Sequence, residues 1–535
     1  MKTIEEVKIF FNKNQRLPLA LNFLEFLNFI ILLPKLNIMK YSIKTLFVLF
    51  IVHYSLFTIH CEAQVTQLWG MTFAGGGPDS SGTIFRIFTD GSGFQVMHTF
   101  TKATGSNPRG NLIFVNGELY GMTDSGGTKN GGVIFQFDPT YNIYSVLYNF
   151  DTARYSIDTL SGKWPSGSLT YIGNDMLYGM ANAGGSAKKG VIFSFNLATN
   201  QYSVVHNFLG IDGQFPLGSL YLGTNTNFPA SVGILYGMTP LGGADSAGVI
   251  FSLNPSTNAY TKLLDFSGTN GANPRGSLIQ ATDGNLYGLT YGGGNSSLGV
   301  LFTINPLNSS FGLTFTFHGN NGANPCNSLY QANNGKIYGT EIANKNGYNC
   351  GSLFSQVLTS GLHIDVINFV TKEYGRPYGN VIQASDGLLY GMAYLCGHDS
   401  INAAPDSTGA IYSFTIGNNS SALLHIFNTA DGANPYGDLI ELPANTGIPE
   451  IANLSLSVSV YPNPVEDIVT FYINFSKEAN FSLKIYDLLG QEIKSLNSND
   501  KTVSIDRKGL ESGMYFYQII QSETSSIITG KLIIK

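Results

Sequence analysis

Apolar residues recur along most of the chain in short runs that end at glycine, and one such run returns seven times. Each copy ends in an aliphatic residue, an aromatic residue and glycine. The copies are Leu68-Trp69-Gly70, Leu119-Tyr120-Gly121, Leu177-Tyr178-Gly179, Leu235-Tyr236-Gly237, Leu286-Tyr287-Gly288, Ile337-Tyr338-Gly339 and Leu389-Tyr390-Gly391. Their glycines are 51, 58, 58, 51, 51 and 52 residues apart. Periods near fifty that hold several strands are typical of β-propeller blades.

Each copy continues with three further elements in a fixed order. A Gly-rich loop leads to a glycine that opens a second apolar run, and a third strand then ends in phenylalanine. The last element is a turn that contains proline, followed by a short apolar strand. The prolines are Pro108, Pro165, Pro216, Pro274, Pro325, Pro377 and Pro435. Because proline suits the turn before a strand and not the middle of a sheet, the pattern predicts four-stranded sheets joined by turns.

The hairpins between elements predict the order of strands within a sheet. The short strand after proline is joined to the next Tyr-Gly strand by pairs such as Asp283-Gly284 and Asp386-Gly387. Such pairs favour two-residue hairpins, because both positions need positive φ. These two strands therefore belong to one sheet. We place the short strand innermost because it is short and flanked by glycine, followed by the Tyr-Gly strand, the strand opened by glycine and the strand that ends in phenylalanine.

The two ends of the repeat region are complementary. The region starts with a second strand, Gln67 to Met71, and stops just after a first strand, Gly437 to Glu441. The sequence therefore predicts an all-β fold in which the last strand completes the first sheet and closes a seven-bladed β-propeller by strand exchange. Such closure leaves no unpaired edge. The alternative is an open β-solenoid, whose ends need not be complementary.

The repeat unit resembles a known family. Residues 235 to 278 contain Leu235-Tyr236-Gly237-Met238-Thr239, Gly248-Val249-Ile250-Phe251 and Asn273-Pro274-Arg275-Gly276-Ser277-Leu278. These units resemble the GloVer tandem repeats of secreted bacterial proteins. The resemblance covers about residues 64 to 442. It implies a secreted, propeller-like protein and no particular biochemical activity.

A smaller module of alternating strands follows the repeats. Its motifs are Val460-Tyr461-Pro462-Asn463-Pro464, Leu483 to Gln491, Leu510 to Tyr517 and Gly530 to Lys535. The alternation predicts a small Ig-like β-sandwich. The motifs resemble a type IX secretion system sorting domain of type A, and an ordinary adhesion module of the same fold is the alternative.

The resemblance to a sorting domain implies a partner and a sorting signal. The partner is the type IX secretion machinery, and the domain would be removed after it has taken the chain across the outer membrane. The signal residues that the resemblance assigns are Tyr461, Pro462, Asn463, Pro464, Gly490, Gly513, Tyr515 and Lys535.

The first 63 residues are predicted to be an N-terminal extension and a signal peptide. Two lysines precede an apolar run from Leu46 to Ile59, and the small residues Cys61 and Ala63 predict cleavage after Ala63. A start at Met39 gives a cleaner signal. The alternatives are lipoprotein cleavage before Cys61 and a membrane anchor. The apolar run has about fourteen residues, fewer than the roughly 20 that a membrane-spanning helix needs.

These boundaries predict four segments. They are residues 1–63, the seven-bladed propeller at 64–443, a linker at 444–453 and the sorting domain at 454–535.

Charge and cysteine content argue against several classes of function. Beyond residue 63 the chain carries 22 Lys and Arg against 31 Asp and Glu. Nucleic acids and anionic membrane surfaces bind clustered positive charge, so neither is a predicted partner, and no transmembrane segment is predicted in the mature chain. Cys326, Cys350 and Cys396 lack the spacing of a disulfide framework or a zinc site. A single disulfide between two of them is the alternative.

A ligand is predicted to bind at the turns that contain proline. These turns and the loops after the second strands are expected on one face of the ring, beside the channel. The turn residues that differ between copies and carry binding chemistry are Arg109, Trp164, Arg275, Arg376, Tyr378 and Tyr436. Arginine and aromatic rings around a shallow mouth suit an acidic or neutral glycan, through bidentate hydrogen bonds and ring stacking. The alternative is that they are ordinary exposed turn residues.

No catalytic residue, metal site or cofactor is predicted. The repeated tyrosines are assigned to packing between sheets, because a residue needed in every copy serves the fold. His98, His206 and His425 occupy equivalent strand positions and are also assigned to packing. His363 and His398 follow no triad or metal-ligand spacing.

Together these features predict a secreted or cell-surface binding protein exported by the type IX secretion system, with a glycan or a protein as ligand. The alternative is a carbohydrate-active enzyme, a polysaccharide lyase or hydrolase, on the same scaffold. Such an enzyme should place an acid or base that breaks the repeat on the ligand face, and the sequence offers no convincing one. We therefore favour binding over catalysis. A third hypothesis is a structural adhesin without a small ligand.

Overall fold

The computed structural model describes most of the chain beyond residue 65. The described residues are 66–151, 161–223, 233–343, 351–369, 375–395, 408–442, 456–461, 465, 467–475, 480–487, 491–521 and 527–534. The predicted signal peptide and linker, Cys350, Cys396 and His398 lie outside them. The elements formed by the described residues are all β-strands, which confirms the predicted all-β class.

The repeat region forms seven sheets, here numbered I to VII. Sheet I contains β1 (Gln67–Ala74), β2 (Thr83–Phe88) and β3 (Gln95–Thr99). Sheet II contains β4 (Ile113–Val115), β5 (Glu118–Thr123), β6 (Asn130–Asp138) and β7 (Ile143–Asp151). Sheet III contains β8 (Thr170–Tyr171), β9 (Met176–Ala181), β10 (Val191–Asn196) and β11 (Gln201–Asn207). Sheet IV contains β12 (Tyr221–Leu222), β13 (Leu235–Thr239), β14 (Val249–Asn254) and β15 (Ala259–Asp265).

The remaining sheets repeat this arrangement. Sheet V contains β16 (Ile279–Gln280), β17 (Leu286–Thr290), β18 (Val300–Ile304) and β19 (Phe311–Thr316). Sheet VI contains β20 (Leu329–Gln331), β21 (Ile337–Glu341), β22 (Ser352–Gln356) and β23 (His363–Asn368). Sheet VII contains β24 (Ile382–Gln383), β25 (Leu389–Ala393), β26 (Ala410–Thr415) and β27 (Ser420–Ile426). Two short strands follow, β28 (Ala433–Pro435) and β29 (Ile440–Leu442).

Strands within each sheet are antiparallel and lie in chain order, with the short strand at one edge. Sheet I receives its edge strand from the far end of the repeats, because β28 and β29 both pair with β1. Leu442 lies opposite Gln67, and Pro435 lies opposite Thr72. The predicted pairing of the last short strand with the first sheet is therefore observed, at Ile440–Leu442.

A repeated hydrogen bond joins neighbouring sheets at the residues just before their first strands. In each case a backbone N–H donates to the side-chain oxygen of the corresponding residue in another sheet. The donor and acceptor residues are Asn111 and Ser168 (2.7 Å), Ser168 and Ser219 (2.8 Å), Ser219 and Ser277 (2.7 Å), Ser277 and Ser328 (3.0 Å), Asn380 and Asp438 (2.5 Å), and Asp438 and Asn111 (2.7 Å). The last pair joins the end of the repeat region to its beginning.

The hydrophobic core is divided into seven clusters, and each lies between two sheets. Six of the clusters join sheets that follow one another in the chain. The seventh packs Tyr390 and Phe427 of the sheet VII region against Leu68 and Phe85 of sheet I. The repeated tyrosines lie in these clusters and are buried, as their assignment to packing predicts.

Ring stacks between outer strands repeat the same connection. The stacked pairs are His98 and Tyr144 (3.9 Å between ring centroids), Tyr148 and Tyr202 (4.2 Å), His206 and Tyr260 (3.9 Å), Phe315 and His363 (3.7 Å), and Phe94 and His425 (3.6 Å). The three histidines assigned to packing lie in these stacks. His363, which the sequence pattern left ungrouped, belongs to the same set.

The C-terminal module has two sheets. Its strands are β30 (Leu456–Tyr461), β31 (Ile468–Phe475), β32 (Phe481–Tyr486), β33 (Glu492–Ser498), β34 (Thr502–Asp506), β35 (Gly513–Gln521) and β36 (Ile527–Ile534). One sheet has the order β30-β31-β34 and the other β33-β32-β35-β36. Phe471 and Val503 of the first sheet share one core with Leu483, Tyr517 and Leu532 of the second.

Glycine is needed where the first strands approach one another, and this requirement gives a stability prediction. A Cβ on Gly276 would lie 2.1 Å from the carbonyl oxygen of Asn327, which is backbone and cannot move aside. We expect Gly276→Ala to lower the free energy of unfolding by about 2 kcal/mol. Gly417→Ala is the control, because no atom lies within 4 Å of its added Cβ. Equal urea midpoints for the two variants would contradict the close approach.

Candidate functional site

The turn before each first strand lies beside the loop after the second strand of the same sheet. Isolated backbone bridges join the two segments in six sheets, at Ser106 and Ser125, Lys163 and Ala183, Gln214 and Leu241, Ala272 and Gly292, Ala323 and Ala343, and Gly375 and Leu395. The residues that flank the seven prolines therefore share one end of each sheet with the residues that follow the second strands. We call these residues the turn face.

Five side chains of the turn face form one contact group, the aromatic cluster: Phe73, Arg109, Tyr378, Tyr394 and Tyr436. The rings of Tyr378 and Tyr436 stack with centroids 5.0 Å apart and 6° between their planes. Tyr394 meets both rings edge-on, at 4.9 Å and 6.0 Å. The guanidinium carbon of Arg109 lies 4.7 Å from the ring centre of Phe73 and 5.1 Å from that of Tyr436.

Three sheets supply this cluster, and the repeat explains how. Tyr378 and Tyr436 each follow a turn proline, whereas Phe73 and Tyr394 occupy equivalent repeat positions at the end of a second strand, Phe73 within β1 and Tyr394 directly after β25. The sequence analysis selected Arg109, Tyr378 and Tyr436, which are in contact, and missed Phe73 and Tyr394. The signal for those two was an aromatic ring at a position that four other copies fill with Asp124, Asn182, Pro240 and Ile342, although the fifth also has an aromatic residue, Tyr291.

The charge of Arg109 is balanced within the cluster. Its Nε lies 3.3 Å from Oδ2 of Asp124, and both side chains are partly buried. Burial raises the pKa of Asp124, and the positive charge of Arg109 opposes this shift. Burial also raises the pKa of Tyr378 and Tyr436, so both phenols stay neutral near pH 7. Neutral phenols beside a guanidinium are suited to hydrogen bonding rather than to proton transfer.

Further cations lie beside the aromatic cluster. The guanidinium carbon of Arg275 lies 3.7 Å from the ring centre of Tyr291, in a close cation–π contact. Burial raises the pKa of the neighbouring Cys326 thiol to about 12, and the charge of Arg275 opposes this only in part. The thiol is thus protonated and is no nucleophile at neutral pH. The charge of Arg376 acts on Tyr378 in the same way, partly offsetting the rise in its pKa.

Backbone strain marks three residues that precede a turn proline. Trp164, Phe215 and Arg376 have φ of 58°, 56° and 50°. The other four copies place Asn107, Asn273, Asn324 and Asn434 there, and asparagine tolerates this conformation better. Because all seven copies have positive φ here, the conformation belongs to the turn of the repeat. Trp164 and Arg376 are the two predicted site residues that adopt it in place of asparagine.

Trp164 lies apart from the aromatic cluster. Its side chain is 41% exposed, and the ammonium group of Lys163 lies 4.3 Å from its ring centre. The six predicted residues therefore divide into three that touch, two cations that flank them, and Trp164, which contacts Lys163 instead.

One buried acid breaks the repeat, and the sequence analysis missed it. Glu341 ends β21 at a position that the other six sheets fill with Thr72, Thr123, Ala181, Thr239, Thr290 and Ala393. Its side chain is fully buried, and its Oε1 accepts a hydrogen bond from the Ser352 hydroxyl. Burial raises the pKa of Glu341 to about 9. The acid lies inside the protein and does not face a ligand on the surface.

The sorting-signal residues are only partly described. Tyr461 ends β30, Gly513 begins β35, and Tyr515 packs against the core of the C-terminal module. Pro462, Asn463, Pro464, Gly490 and Lys535 lie outside the described residues. The described residues contain no group of three or more His, Cys, Asp or Glu side chains that could hold a metal ion. They also contain no helix long and apolar enough to cross a membrane.

Comparison with known families identifies two regions. The Gloeobacter/Verrucomicrobia repeat matches residues 58–232 and 223–400. The secretion system C-terminal sorting domain matches residues 459–535. Among curated proteins, none matches this sequence.

Several solved structures are similar at low identity. A Bacteroides uniformis protein assigned as a 6-phosphogluconolactonase has 12% identity and a TM-score of 0.47, over 71% of this chain and 99% of that one. PorZ, a surface component of the type IX secretion system of Porphyromonas gingivalis, has 12% identity and a TM-score of 0.29, over 87% and 75%. TolB of Acinetobacter baumannii has 13% identity and a TM-score of 0.35, over 56% and 62%.

Proposed function

Because the chain belongs to the Gloeobacter/Verrucomicrobia repeat family and ends in a secretion system sorting domain, we propose that it is an exported glycan-binding protein. The sorting domain marks it for the type IX secretion machinery and for the cell surface. The predicted signal peptide would first take it to the periplasm, and the sorting domain would then be removed. The binding site is the aromatic cluster with its flanking cations.

The proposed scaffold is a closed seven-bladed β-propeller. Three kinds of contact between its two ends support closure. They are the pairing of β29 with β1, the hydrogen bond from Asp438 to Asn111, and the stack of His425 on Phe94. The strand pairing has the same form as the pairing of first and second strands within the other sheets, and the hydrogen bond and the ring stack have the same form as those between sheets that follow one another. The two sheets around one core support an Ig-like β-sandwich for the C-terminal module.

The stacked pair of Tyr378 and Tyr436 is the observation that carries the ligand proposal. Sugar rings present flat C–H faces that pack on aromatic rings, and their hydroxyls accept hydrogen bonds from arginine and tyrosine. Arg109 holds its guanidinium against the Tyr436 ring, and Arg275 adds an exposed cation nearby. This combination suits an oligosaccharide, and an acidic sugar would gain a bidentate contact with Arg275.

Binding fits the cluster better than catalysis does. The thiol and the two phenols have pKa values raised by burial, and Asp124 is paired with Arg109. The acid that breaks the repeat, Glu341, is fully buried. A lyase or hydrolase needs an acid or base that reaches the substrate.

A glycan array probed with the purified full chain tests the proposal. We expect the wild type to bind a subset of oligosaccharides, and Tyr436→Ala to weaken that binding about tenfold or more. Arg275→Ala should weaken binding of acidic glycans selectively, because it removes one charge. Ser166→Ala is the matched control, since Ser166 holds the equivalent turn position in sheet III. Absence of glycan binding by the wild type, or full binding by Tyr436→Ala, would refute the assignment.

A further inference from the structure

One face of sheet VI is polar where it packs on sheet V. Ile337 and Phe354 identify this face, because both lie in one core cluster with Tyr287 and Phe317 from the sheet V region. Side chains alternate along a strand, and the register places six polar residues on the same face. They are Glu341, Ser352, Gln356, His363, Asp365 and Asn368. We call this set the polar seam.

Gln356 is the seam residue that most clearly distinguishes sheet VI, whereas the position of Asn368 is also polar in sheets II, III and IV and that of Asp365 is Lys262 in sheet IV. Gln356 lies opposite Ile337, and the residue opposite the equivalent aliphatic side chain in the other sheets is always apolar and buried. Those residues are Ile87, Phe137, Phe195, Leu253, Ile304 and Phe414. Asp365 lies opposite Phe354, where sheet V has Leu313 opposite Phe302.

Seven buried polar atoms of the seam lack a hydrogen-bond partner. They are Oε2 of Glu341, both amide atoms of Gln356, both ring nitrogens of His363, Oδ1 of Asp365 and Oδ1 of Asn368. The Nε2 of His363 lies 3.6 Å from Oδ1 of Asp365, which is too long for a hydrogen bond. The His363 ring stacks on Phe315 of sheet V, so the polar atoms are held inside the contact between the sheets.

Buried polar groups in folded proteins nearly always bond to protein or to ordered water. Water fills sites where several polar atoms converge, and each molecule takes about three hydrogen bonds there. We propose that sheets V and VI enclose a buried hydration site, in which ordered water molecules bind Gln356, His363 and Asp365. This contact is then the one at which the repeat domain opens most readily, because it replaces apolar packing with exchangeable water.

Among the described residues, the contact between sheets VII and I contains fewer such atoms: Nε2 of His425 is buried there without a hydrogen-bond partner and lies 3.4 Å from Oδ2 of Asp431. There the His425 ring stacks on Phe94, and the Thr83 hydroxyl donates to the carbonyl oxygen of Asp431 at 3.2 Å. Apolar packing by Leu68, Phe85 and Phe427 completes it. The place where the two ends of the repeat region meet is therefore expected to open less readily than the polar seam. The inference is independent of the ligand of the aromatic cluster.

A crystal structure of the full chain at a resolution that shows ordered solvent is the direct test. Water within hydrogen-bond distance of the Gln356 amide and the Asp365 carboxylate is the expected result. A dry contact, in which the seven atoms have protein partners, would overturn the proposal.

Hydrogen exchange provides a second measurement. The amides of β21 and β22 are expected to exchange about tenfold faster than those of β1 and β2. Gln356→Ile with Asp365→Leu gives sheet VI the apolar type of residue that sheet V has at both positions, and should abolish the difference. Lys262→Leu, at the position in sheet IV equivalent to Asp365, is the control and should leave sheet VI unchanged. Equal exchange in the wild type would contradict the proposal even if the double variant does not fold.

Discussion

Deletion of residues 434–442 is expected to lower the free energy of unfolding of the repeat region by at least about 5 kcal/mol, because it removes the edge strand of sheet I. Leu439 and Leu442 are 3% and 5% exposed and belong to the clusters on either side of that sheet. The deletion also removes Asp438, which accepts bonds from the Asn380 amide and the Asn111 side chain. Urea denaturation followed by tyrosine and tryptophan fluorescence measures the loss.

A deletion of similar size elsewhere provides the control. Removal of 527–535 takes the strand β36 from the C-terminal module, and the transition of the repeat region should keep its midpoint. A loss below about 1 kcal/mol on deletion of residues 434–442 would show that the last strand merely ends the chain, because surface segments contribute little.

The stability of the protein is expected to fall as pH rises from about 5 to about 9, and Glu341 contributes most. Glu118, whose pKa burial raises to about 7, contributes in the same direction in the lower part of this range. Burial raises the pKa of Glu341 from 4.5 to about 9 in the folded state. Between these values the folded protein keeps a proton that the unfolded chain has lost, so each pH unit costs up to about 1.4 kcal/mol. The loss begins above the unfolded pKa and ends near the folded one.

Glu341→Thr should remove most of this pH dependence and raise the stability at pH 8. Threonine is the residue of sheet V, where the Thr290 hydroxyl donates to the carbonyl oxygen of Gly292 at 2.8 Å. Thr290→Glu is the converse variant and should steepen the pH dependence. Urea midpoints at pH 5 and pH 8 measure both effects. Parallel pH profiles for the wild type and Glu341→Thr would refute this role of Glu341.

The strands could be predicted because the same pattern of apolar runs, glycine and proline occurs seven times in the sequence. Copies of one pattern reveal which positions every sheet needs, such as the glycine of the Tyr-Gly strand and the turn proline. The pairing of the last short strand with β1 followed from counting elements at the two ends. Its extension to β28 did not, because Ala433 and Pro435 belong to a segment that reads as a turn in the other copies.

The candidate site was less predictable because it depends on contacts between sheets. Arg109, Tyr378 and Tyr436 were found because they vary at a position where the repeat is otherwise regular. Phe73 and Tyr394 lie at the ends of second strands, and no spacing along the chain places them against those residues. Trp164 has the same local features as the others, yet it lies beside Lys163 and outside the aromatic cluster.

Glu341 was missed for a related reason. The search was for an acid exposed near the ligand turns, whereas this residue replaces threonine or alanine inside a sheet. Comparison of the seven copies position by position would have identified it, together with Gln356 and Asp365. The burial of Glu341, however, depends on how sheets V and VI pack, and so does the lack of hydrogen-bond partners for the polar atoms of the seam. The repeat pattern alone does not give this packing.

The residue pairs that join β29 to β1 lie within the repeat region itself. The strand β29 ends at Leu442, before the predicted linker at 444–453. Removal of the sorting domain after export would thus leave the pairing of β29 with β1 intact. The proposed propeller therefore keeps its closure, and the aromatic cluster keeps Tyr436, in the mature protein.

Hydrogen exchange of the β1 peptide, Gln67–Ala74, tests closure most directly. It is measured in the wild type and in the variant that lacks residues 434–442, with β13, Leu235–Thr239, as the internal reference. Closure predicts that β1 is as protected as β13 in the wild type and loses that protection in the variant, while β13 keeps it. Unchanged protection of β1 in the variant would contradict a ring closed by its last strand.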